Sequence, residues 1–423
     1  MYKFLLKGVF RDRHRYLFPL LIVSSGVLIQ VFMLALINGY MGSFIRANAG
    51  FDTGHVKVVT RAYDELINQK PYDLGFLDIQ SEVESWKKAY PQLDWVQRIH
   101  FGALMGVPGL GDSLSEQGEV ICFGIDLLSS SYERNLMNLD KALVQGRMPE
   151  SDSEILLSEN ALKRLQLKLG DSILLFGSDM DGALSSASFR ICGTLSFGTQ
   201  SLDRGAVIVN LNAARQMLNM EGGAAEVLGF FKSGEYNREL ATNLKADFDK
   251  RFSNPDDEFS PVMLTMEDQN NMGYIMAMLD RMMGIFSAVF IIILGIVLWN
   301  SGLMNGIRRY GEFGVRLAVG ESKLHIYHTL ILEAVCIGVI GSGIGVILGY
   351  LLSAYFNLYG MDASVFSRNS TLLSEDMIYT SIDLPTAMSG FIPGILSTVL
   401  GAALAGMAVF KRQTSLLFKE LEV

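Results

Sequence analysis

Four stretches of this chain contain no charged residue, and their length constrains the fold more than any other feature. They are Leu17–Ile45, Met282–Ile307, Ala334–Met361 and Leu384–Phe410, with 29, 26, 28 and 27 residues. Each is longer than the ~20 residues that an α-helix needs to cross the ~30 Å hydrocarbon core of a bilayer. The sequence therefore predicts an α-helical membrane protein with one span, a long intervening segment and then three closely spaced spans.

The positions of Lys and Arg beside the spans predict the orientation of the chain. Basic residues predominate in the N-terminal segment, in the loop between the second and third spans and in the C-terminal tail. Four crossings place these three segments on one side, so we expect a multi-pass protein of the cytoplasmic (inner) membrane with both termini in the cytoplasm. The first span far exceeds the core of about 7–15 residues of a signal peptide, which favours a retained signal-anchor.

The segment between the first two spans, 46–281, is acidic and is expected outside the cytoplasm. It holds 22 Lys and Arg against 34 Asp and Glu, a net charge of −12 (22 − 34). Nucleic acid is therefore not an expected partner, because it selects basic surfaces. Cys122 and Cys192 lie in this segment, and both a disulfide and two buried free thiols remain open. The sequence has no CxxC, HExxH or clustered His, so we predict no metal site.

Strand and helix patterns alternate in this segment, which predicts a large extracytoplasmic α+β domain. Two β-α-β runs, near 55–125 and 206–265, are separated by residues of different character at about 127–202. We therefore expect one α+β subdomain that is split by a β-rich insert. Within the insert, Ser158 is predicted to cap a helix and Gly177–Ser188 is predicted to be a loop. No nucleophile–base pair, paired carboxylates or glycine-rich phosphate loop is recognisable, so the domain is interpreted as a binding or docking module without catalytic residues.

These patterns divide the chain into consecutive segments. In chain order we predict a basic N-terminus (1–16), a first span (17–45), the extracytoplasmic domain (46–270) with its insert at about 127–202, a stalk and second span (271–307), a cytoplasmic loop (308–328), a third span (329–357), a short external loop (358–384), a fourth span (385–410) and a cytoplasmic tail (411–423).

Methionines recur along one stripe of a helical pattern that runs from Glu267 into the second span. Two interpretations remain open. Flexible Met side chains often fill irregular gaps, so the stripe fits packing against the first span. Met also suits adaptable apolar surfaces, which would fit contact with hydrophobic or acylated cargo. The candidate cargo-contact residues are Met33, Leu36, Ile37 and Tyr40 of the first span and Met272, Met276, Leu279 and Met283 of the stalk.

The loop between the second and third spans carries the most specific motif. It has the spacing basic-x-x-Glu-x-Gly-x-Arg-x-Ala-x-Gly over 309–320, and a Glu-Ala pair follows at 333–334. This motif and the four-span layout resemble the FtsX/MacB-like permeases of ABC transporters. The stretch from Gly146 to Phe176 is also similar to this family, and the similarity is greatest to the lipoprotein-releasing LolC/LolE-type permease subunits. In that family the external domain is a split α+β "porter" with an inserted subdomain.

The resemblance implies that this loop is a coupling helix that docks on a cytoplasmic ATPase. Glu312 and Arg316 are four residues apart, which lets them brace each other on one helix face. A solvated interfacial helix would explain the arginines but not the motif spacing. Glu333 lies just inside the third span, where a charge needs a partner, and is expected to pair with loop arginines. The candidate coupling residues are Arg309, Glu312, Gly314, Arg316, Gly320 and Glu333.

The resemblance also implies a function and a set of partners. The chain is expected to be a non-catalytic permease subunit without a cofactor of its own, because the G-x-x-x-x-G-K-[ST] phosphate loop is absent from it. A separate ABC ATPase would bind ATP and Mg²⁺. The other expected partners are a second permease subunit, identical or homologous, membrane lipid, lipoprotein cargo and a periplasmic carrier. Two alternatives remain: an efflux permease with a periplasmic adaptor, and a mechanotransmitter that activates a cell-wall hydrolase.

Overall fold

The computed structural model describes residues 13–108, 114–129, 132–308, 310–362, 377–381 and 384–410. The chain forms two compact units. We call them the helical unit (Met1–Met41, Ala277–Met361 and Ile378–Val423) and the β-rich unit (Gly42–Met276 and Asp362–Met377). The predicted N-terminal segment, most of the short external loop and the C-terminal tail lie largely outside the described residues.

Among the described residues, four helical segments are long and apolar enough to cross a membrane, and each overlaps one of the four predicted spans. The predicted fold class is therefore confirmed. The α-helices are α1 (Arg13–Asn48), α2 (Arg61–Glu65), α3 (Gln80–Ala89), α4 (Tyr132–Leu136), α5 (Leu139–Ala142), α6 (Glu159–Arg164), α7 (Gln200–Asp203), α8 (Leu211–Met217), α9 (Arg238–Phe252), α10 (Met272–Arg308), α11 (Tyr310–Ala318), α12 (Lys323–Tyr359), α13 (Leu384–Ser389) and α14 (Phe391–Phe410).

The β-rich unit is built on one ten-stranded sheet. Its strands are β1 (Val56–Thr60), β2 (Leu93–Pro108), β3 (Leu114–Ile125), β4 (Leu143–Gly146), β5 (Glu154–Ser158), β6 (Ser172–Ser178), β7 (Leu184–Leu195), β8 (Ala206–Asn210), β9 (Glu226–Phe231) and β10 (Pro261–Thr265). The strand order is β10-β1-β9-β2-β3-β8-β5-β7-β4, and β6 pairs with β2 and β7. A separate two-stranded pair is formed by β11 (Met361–Asp362) and β12 (Met377–Ile378).

Two apolar clusters stabilise two regions of the ten-stranded sheet. Helices α3 and α9 cover the β1, β2 and β9 region, where the Trp86 and Phe248 rings lie 5.2 Å apart. A larger cluster buries Ile99, Ile155 and Val207 from the remaining strands. Strand β2 is long enough to belong to both regions, since its first half pairs with β9 and its second half with β3.

The sheet runs through the segment that was predicted as an insert. Strand β5 of this segment pairs with both β7 and β8, and β8 pairs in parallel with β3. The boundaries predicted for the insert stay a prediction. The predicted cap is confirmed, because Ser158 Oγ accepts a hydrogen bond from Ala161 N–H at 3.1 Å. Cys122 and Cys192 are both buried and free.

Two local predictions are wrong. Gly177–Ser188 is not a loop along its whole length, because β6 and β7 pair as a hairpin up to Ser178 opposite Leu184 and only residues 179–183 connect them. The helix expected from Glu267 begins only at Met272, after a short 3-10 turn. The residues between, Asn270 and Asn271, have φ values of 49° and 57°. Such left-handed conformations interrupt a right-handed helix, and Asn tolerates them better than most residues.

A glycine stripe lets α12 approach α1 closely within the helical unit. An added Cβ at Gly345 would lie 2.7 Å from the backbone oxygen of Ser24 and 2.7 Å from Val27 Cβ. Gly341 faces Val23 and Gly349 faces Val31 in the same manner, one helical repeat away on either side. Small residues allow such close backbone approach between membrane helices.

We predict that Gly345→Leu destabilises the helical unit by about 3 kcal/mol, because the new side chain must displace α1. The matched control is Gly343→Leu, which lies on the same helix with no heavy atom within 4 Å of its added Cβ. Both substitutions raise helix propensity equally. The check is the thermal unfolding midpoint of the full chain in detergent. Equal midpoints for the two variants would contradict the packing assignment.

Candidate functional site

The chain leaves α1 through a single turn of π-helix, Ala49–Thr53, which we call the π-turn. Its carbonyl groups are held by side chains from distant parts of the β-rich unit. Arg98 Nη1 donates to the Phe51 carbonyl at 2.8 Å, and Gln269 Nε2 donates to the Thr53 carbonyl at 3.1 Å. Single π-helical turns occur frequently at functional sites, which makes this turn a candidate site.

A buried group of charged side chains surrounds Asp52 of the π-turn. We call Asp52, Lys57, Lys70, His100 and Glu226 the junction cluster. Lys57 Nζ lies 2.9 Å from Glu226 Oε2 and 3.4 Å from Asp52 Oδ1, and Lys70 also pairs with Asp52. His100 Nδ1 lies 3.1 Å from Lys70 Nζ. The side chains of Lys57, His100 and Glu226 are at most 2% exposed.

Mutual attraction keeps this cluster charged despite its burial. Burial disfavours the charged carboxylate of Asp52, but the ammonium groups of Lys57 and Lys70 outweigh this effect and lower its pKa. The pKa of Glu226 is lowered by the same balance of burial against Lys57 and Lys70. Burial lowers the pKa of His100, and the nearby Lys70 lowers it further, so its imidazole is neutral. Two carboxylates therefore face two ammonium groups, and the cluster has no net charge.

The junction cluster also contains the donor types of a metal site. Ligand atoms of Asp52, His100 and Glu226 all lie within 4.8 Å of one another. However, Lys57 and Lys70 already supply the two positive charges that the carboxylates require, and a divalent cation would be repelled by both. We therefore assign the cluster to ion pairing. Its role is to hold the π-turn, because Asp52 is the member that this turn contributes.

A second buried ion pair acts on the same turn. Arg98, which donates to the Phe51 carbonyl, is completely buried and pairs through Nη2 with Glu133 Oε2 at 2.5 Å. The Phe51 ring packs against Phe123 with ring centroids 5.1 Å apart. Both the backbone and the side chain of Phe51 are therefore fixed.

The residues that precede α10 reach the same place. Asn270 Nδ2 donates to Asp52 Oδ2 at 2.8 Å, and Gln269 donates to Thr53 as described above. One apolar cluster contains Ala49 of the π-turn and Met272 of the first turn of α10, and Ile45 of the last turn of α1 packs against it. Within the β-rich unit, the end of one long helix and the start of another are thus held at one point.

The loop after α10 contains an amphipathic helix, α11. Its Phe313 is 1% exposed and packs with Leu317 against Ile326 and Leu330 of α12. The helix ends in a Schellman motif, in which Gly320 N–H donates to the Leu317 carbonyl and Glu321 N–H to the Arg316 carbonyl, both at 3.0 Å. Gly320 has a φ of 97°, a conformation that favours glycine.

The predicted coupling residues lie on or near this helix. Arg316 forms a bidentate pair with Glu321, at 2.6 Å from Nε and 2.5 Å from Nη2, which the spacing of Glu312 and Arg316 did not predict. This pairing lowers the pKa of Glu321. Glu312 is exposed on the first turn of α11, Gly314 is buried, and Glu333 is 8% exposed within α12. Arg309 lies outside the described residues.

The predicted cargo-contact residues differ in exposure. Tyr40 is 58% exposed, whereas Met33, Leu36 and Ile37 of α1 are half-buried. On α10, Met276, Leu279 and Met283 are half-buried. Met272 is 2% exposed and belongs to the apolar cluster of the β-rich unit, which favours the packing interpretation for this one residue.

Comparison with known proteins defines the class of the membrane part. Residues 284–414 match the model of the FtsX-like permease C-terminal domain. The chain therefore carries an FtsX-like permease domain, and the resemblance predicted from the loop motif is confirmed.

Relatives of two kinds match this chain. The lipoprotein-releasing system transmembrane protein LolC of Xylella fastidiosa is 24% identical over 260 residues, 60% of each chain. The macrolide export ATP-binding/permease protein MacB of Rhodopseudomonas palustris is 37% identical over 79 residues, 19% of this chain and 12% of its own length. The alignments thus cover less than two thirds of either relative. The periplasmic region of MacB from Actinobacillus actinomycetemcomitans aligns at 13% identity with a TM-score of 0.35, over 53% of this chain and 93% of that one.

The junction cluster was missed from the sequence, although a local signal exists. Lys57 interrupts an apolar strand in which every residue is buried, and Glu226 begins another such strand. A charge inside a short apolar run indicates a buried partner, because a buried charge is rarely left unpaired. The partners of these residues lie far away in sequence, so they could not be assigned.

We predict that Lys57→Met destabilises the β-rich unit by about 3–5 kcal/mol, because it leaves the buried carboxylates without one of their two ammonium partners. The control is Lys88→Met, which removes an exposed lysine from α3. Chemical denaturation of the full chain in detergent, followed by Trp fluorescence, measures the difference. A cost below about 1 kcal/mol would contradict the assignment.

The free energy of unfolding of the β-rich unit is also predicted to fall when the pH is lowered below 6.5. Burial lowers the pKa of His55 to about 4, and its Nδ1 accepts a hydrogen bond from Phe231 N–H at 2.9 Å. Between pH 6.5 and 4 the unfolded chain therefore binds more protons than the folded chain, and stability is lost as pH falls. His100 acts in the same direction. The expected slope approaches about 1.4 kcal/mol per pH unit for each histidine. Unfolding midpoints between pH 7.5 and 5 check this, and an unchanged midpoint would contradict it.

Proposed function

We propose that this chain is the permease subunit of an ATP-driven complex of the MacB/LolC type, and that it extracts lipoproteins from the inner membrane. Two findings support the proposal. The FtsX-like domain contains the loop that resembles a coupling helix. The relative with an alignment over 60% of both chains is the transmembrane protein of a lipoprotein-releasing system.

The observation that carries the coupling role is the surface of α11 and its flanks. The apolar side chains of Val315, Val319 and Leu324 are 62%, 84% and 65% exposed. They form an exposed apolar surface in a loop that is otherwise rich in polar residues. Phe313 anchors the opposite face of α11 on α12. A short helix that is fixed on one side and apolar on the other suits insertion into a groove of a partner protein. The proposed partner is a separate cytoplasmic ABC ATPase, which binds ATP and Mg²⁺.

The proposed mechanism is mechanical. ATP binding would bring two permease subunits together, and α10 would transmit that movement because it is one unbroken helix from Met272 to Arg308. The β-rich unit would receive it at the π-turn and at Asn270, where α1 and α10 are held together. In this proposal the β-rich unit is periplasmic, both termini are cytoplasmic, and cargo passes to a periplasmic carrier.

The proposed cargo surface consists of the exposed or half-buried members of the predicted set. Met33, Leu36, Ile37 and Tyr40 of α1 and Met276, Leu279 and Met283 of α10 remain candidates for contact with acyl chains. Apolar contact of this kind needs no fixed hydrogen-bond geometry, and Met adapts readily to different partners.

A second candidate function is efflux through a periplasmic adaptor. The observation in its favour is the identity of 37% to a macrolide export protein, which is higher than the identity to LolC but covers a much shorter stretch. Affinity purification of the tagged chain in mild detergent, followed by mass spectrometry, separates the two. Co-purified ATPase with acylated lipoproteins supports release, whereas ATPase with an adaptor supports efflux. Absence of any ATPase would overturn the permease proposal.

We predict that Val319→Glu reduces co-purification of the ATPase at least tenfold, because a charge replaces an apolar side chain at the docking surface. The matched control is Leu184→Glu, which alters an equally exposed residue, also 84%, in the β-rich unit. Neither side chain is packed, so both variants are expected to fold. Equal ATPase recovery with the two variants would contradict docking through α11.

A further inference from the structure

Strand β2 has an open edge along its first half. From Leu93 to Arg98 it pairs with β9 on one side, and β3 pairs with β2 only from Ile99 onward. Strand β3 ends at Ile125, and the chain then continues beside β8, where Leu127 N–H donates to Asn210. The position that β3 would take beside the first half of β2 is therefore not filled by a strand of the described chain.

Backbone alternation shows which groups face this open side. The carbonyls of Gln92 and Arg98 accept hydrogen bonds from Lys232 and Ala225, so the even-numbered residues face β9. Successive residues of a strand direct their backbone groups to opposite sides. Trp95 and Gln97 therefore present N–H and C=O groups to the open edge, and these backbone groups have no hydrogen-bond partner among the residues that the structure describes.

The open edge lies in a groove of about 760 Å³. Its lining includes all five residues from Leu93 to Gln97, residues of α3 and α8, and Asp126, Ser129, Tyr132 and Glu133. The apolar residues Val83, Leu93 and Leu211 also line the groove, but they are only 3%, 3% and 6% exposed, so most of its lining surface is polar. The groove thus combines a row of unpaired backbone groups with a mostly polar lining.

We propose that this groove binds an extended peptide segment of a partner protein by β-strand addition to β2. Unpaired N–H and C=O groups about 6.8 Å apart along a strand match the hydrogen-bonding repeat of another strand. Such addition draws affinity from main-chain hydrogen bonds and specificity from side-chain contacts. The inference does not depend on the ATPase-coupling proposal, since every residue involved lies in the β-rich unit.

The shape and charge of the groove restrict the occupant. Side chains of α3 and α8 line the same groove as the edge, so one extended segment fits more readily than the sheet edge of a second folded copy. Charges of both signs line the groove: Glu84, Asp94, Asp126 and Glu133 are acidic, and Lys87, Arg215 and Lys232 are basic. A strongly basic or acidic ligand would meet like charges. We therefore expect an extended segment of low net charge.

The test uses a displayed library of random 12-residue peptides, selected on the full chain in detergent micelles. Gln97→Pro removes the N–H that faces the groove and leaves the β9 ladder intact, because Gln97 does not bond to β9. Gln97→Ala is the matched control, since it also loses the contact from Gln97 Oε1 to Arg215 but keeps the N–H. We expect selected peptides to bind Gln97→Pro at least tenfold more weakly than Gln97→Ala.

A second measurement acts on the peptide and needs no protein variant. Methylation of single backbone nitrogens in a selected peptide should weaken binding at every second residue and leave the alternate residues nearly unaffected. Failure to select any binding peptide overturns the proposal. The proposal is also overturned if peptide binding is unchanged by both Gln97→Pro and N-methylation. It is overturned as well if the chain self-associates and Gln97→Pro abolishes that self-association.

Discussion

The ion pairing around Asp52 is the interaction on which the β-rich unit depends. Its members come from the π-turn, β1, the segment after α2, β2 and β9, so the charges meet only when the sheet has formed. An unpaired carboxylate or ammonium group in this position would be strongly destabilising. Incorrect registers of β1 or β9 are therefore penalised, because a shift of one residue moves Lys57 or Glu226 to the other face. The cluster thus specifies register as well as the path of the π-turn.

The same requirement holds the end of α1 and the start of α10 that belong to the β-rich unit. Asp52 follows α1 by four residues, and Asn270, which donates to it, precedes α10 by two. A flexible linker at either place would absorb displacement of a helix. Here the backbone is fixed by Arg98 and Gln269 as well as by the charged cluster. In the proposed mechanism this rigidity is what allows movement of α10 to reach the strands.

Sequence patterns predicted the features that depend on local composition. The four spans follow from uncharged length, and most strands follow from short apolar runs, because both properties are set by neighbouring residues. The motif in the loop after α10 was recognised by its spacing. The pairing of Arg316 with Glu321 was missed because it depends on the turn at Gly320. The β6–β7 hairpin was missed because its outer half is polar and Ser-rich, and is held by backbone pairing beyond the core. The junction cluster needed contacts between residues 174 positions apart (226 − 52), which no local pattern reports.

Strand β2 places the open groove next to the fixed turn. Gln97 directs its backbone to the groove, and the adjacent Arg98 directs its backbone to β9 while its side chain holds Phe51. Glu133, the partner of Arg98, also lines the groove. A peptide strand added at Gln97 would restrict the backbone one residue away from the group that fixes the π-turn. Suppose that the Arg98–Glu133 pair has two arrangements and that the peptide binds one of them more tightly. Peptide binding in the groove and movement of the π-turn are then coupled, and the difference in affinity sets the strength of the coupling. By reciprocity, displacement of the π-turn would alter peptide affinity by the same factor.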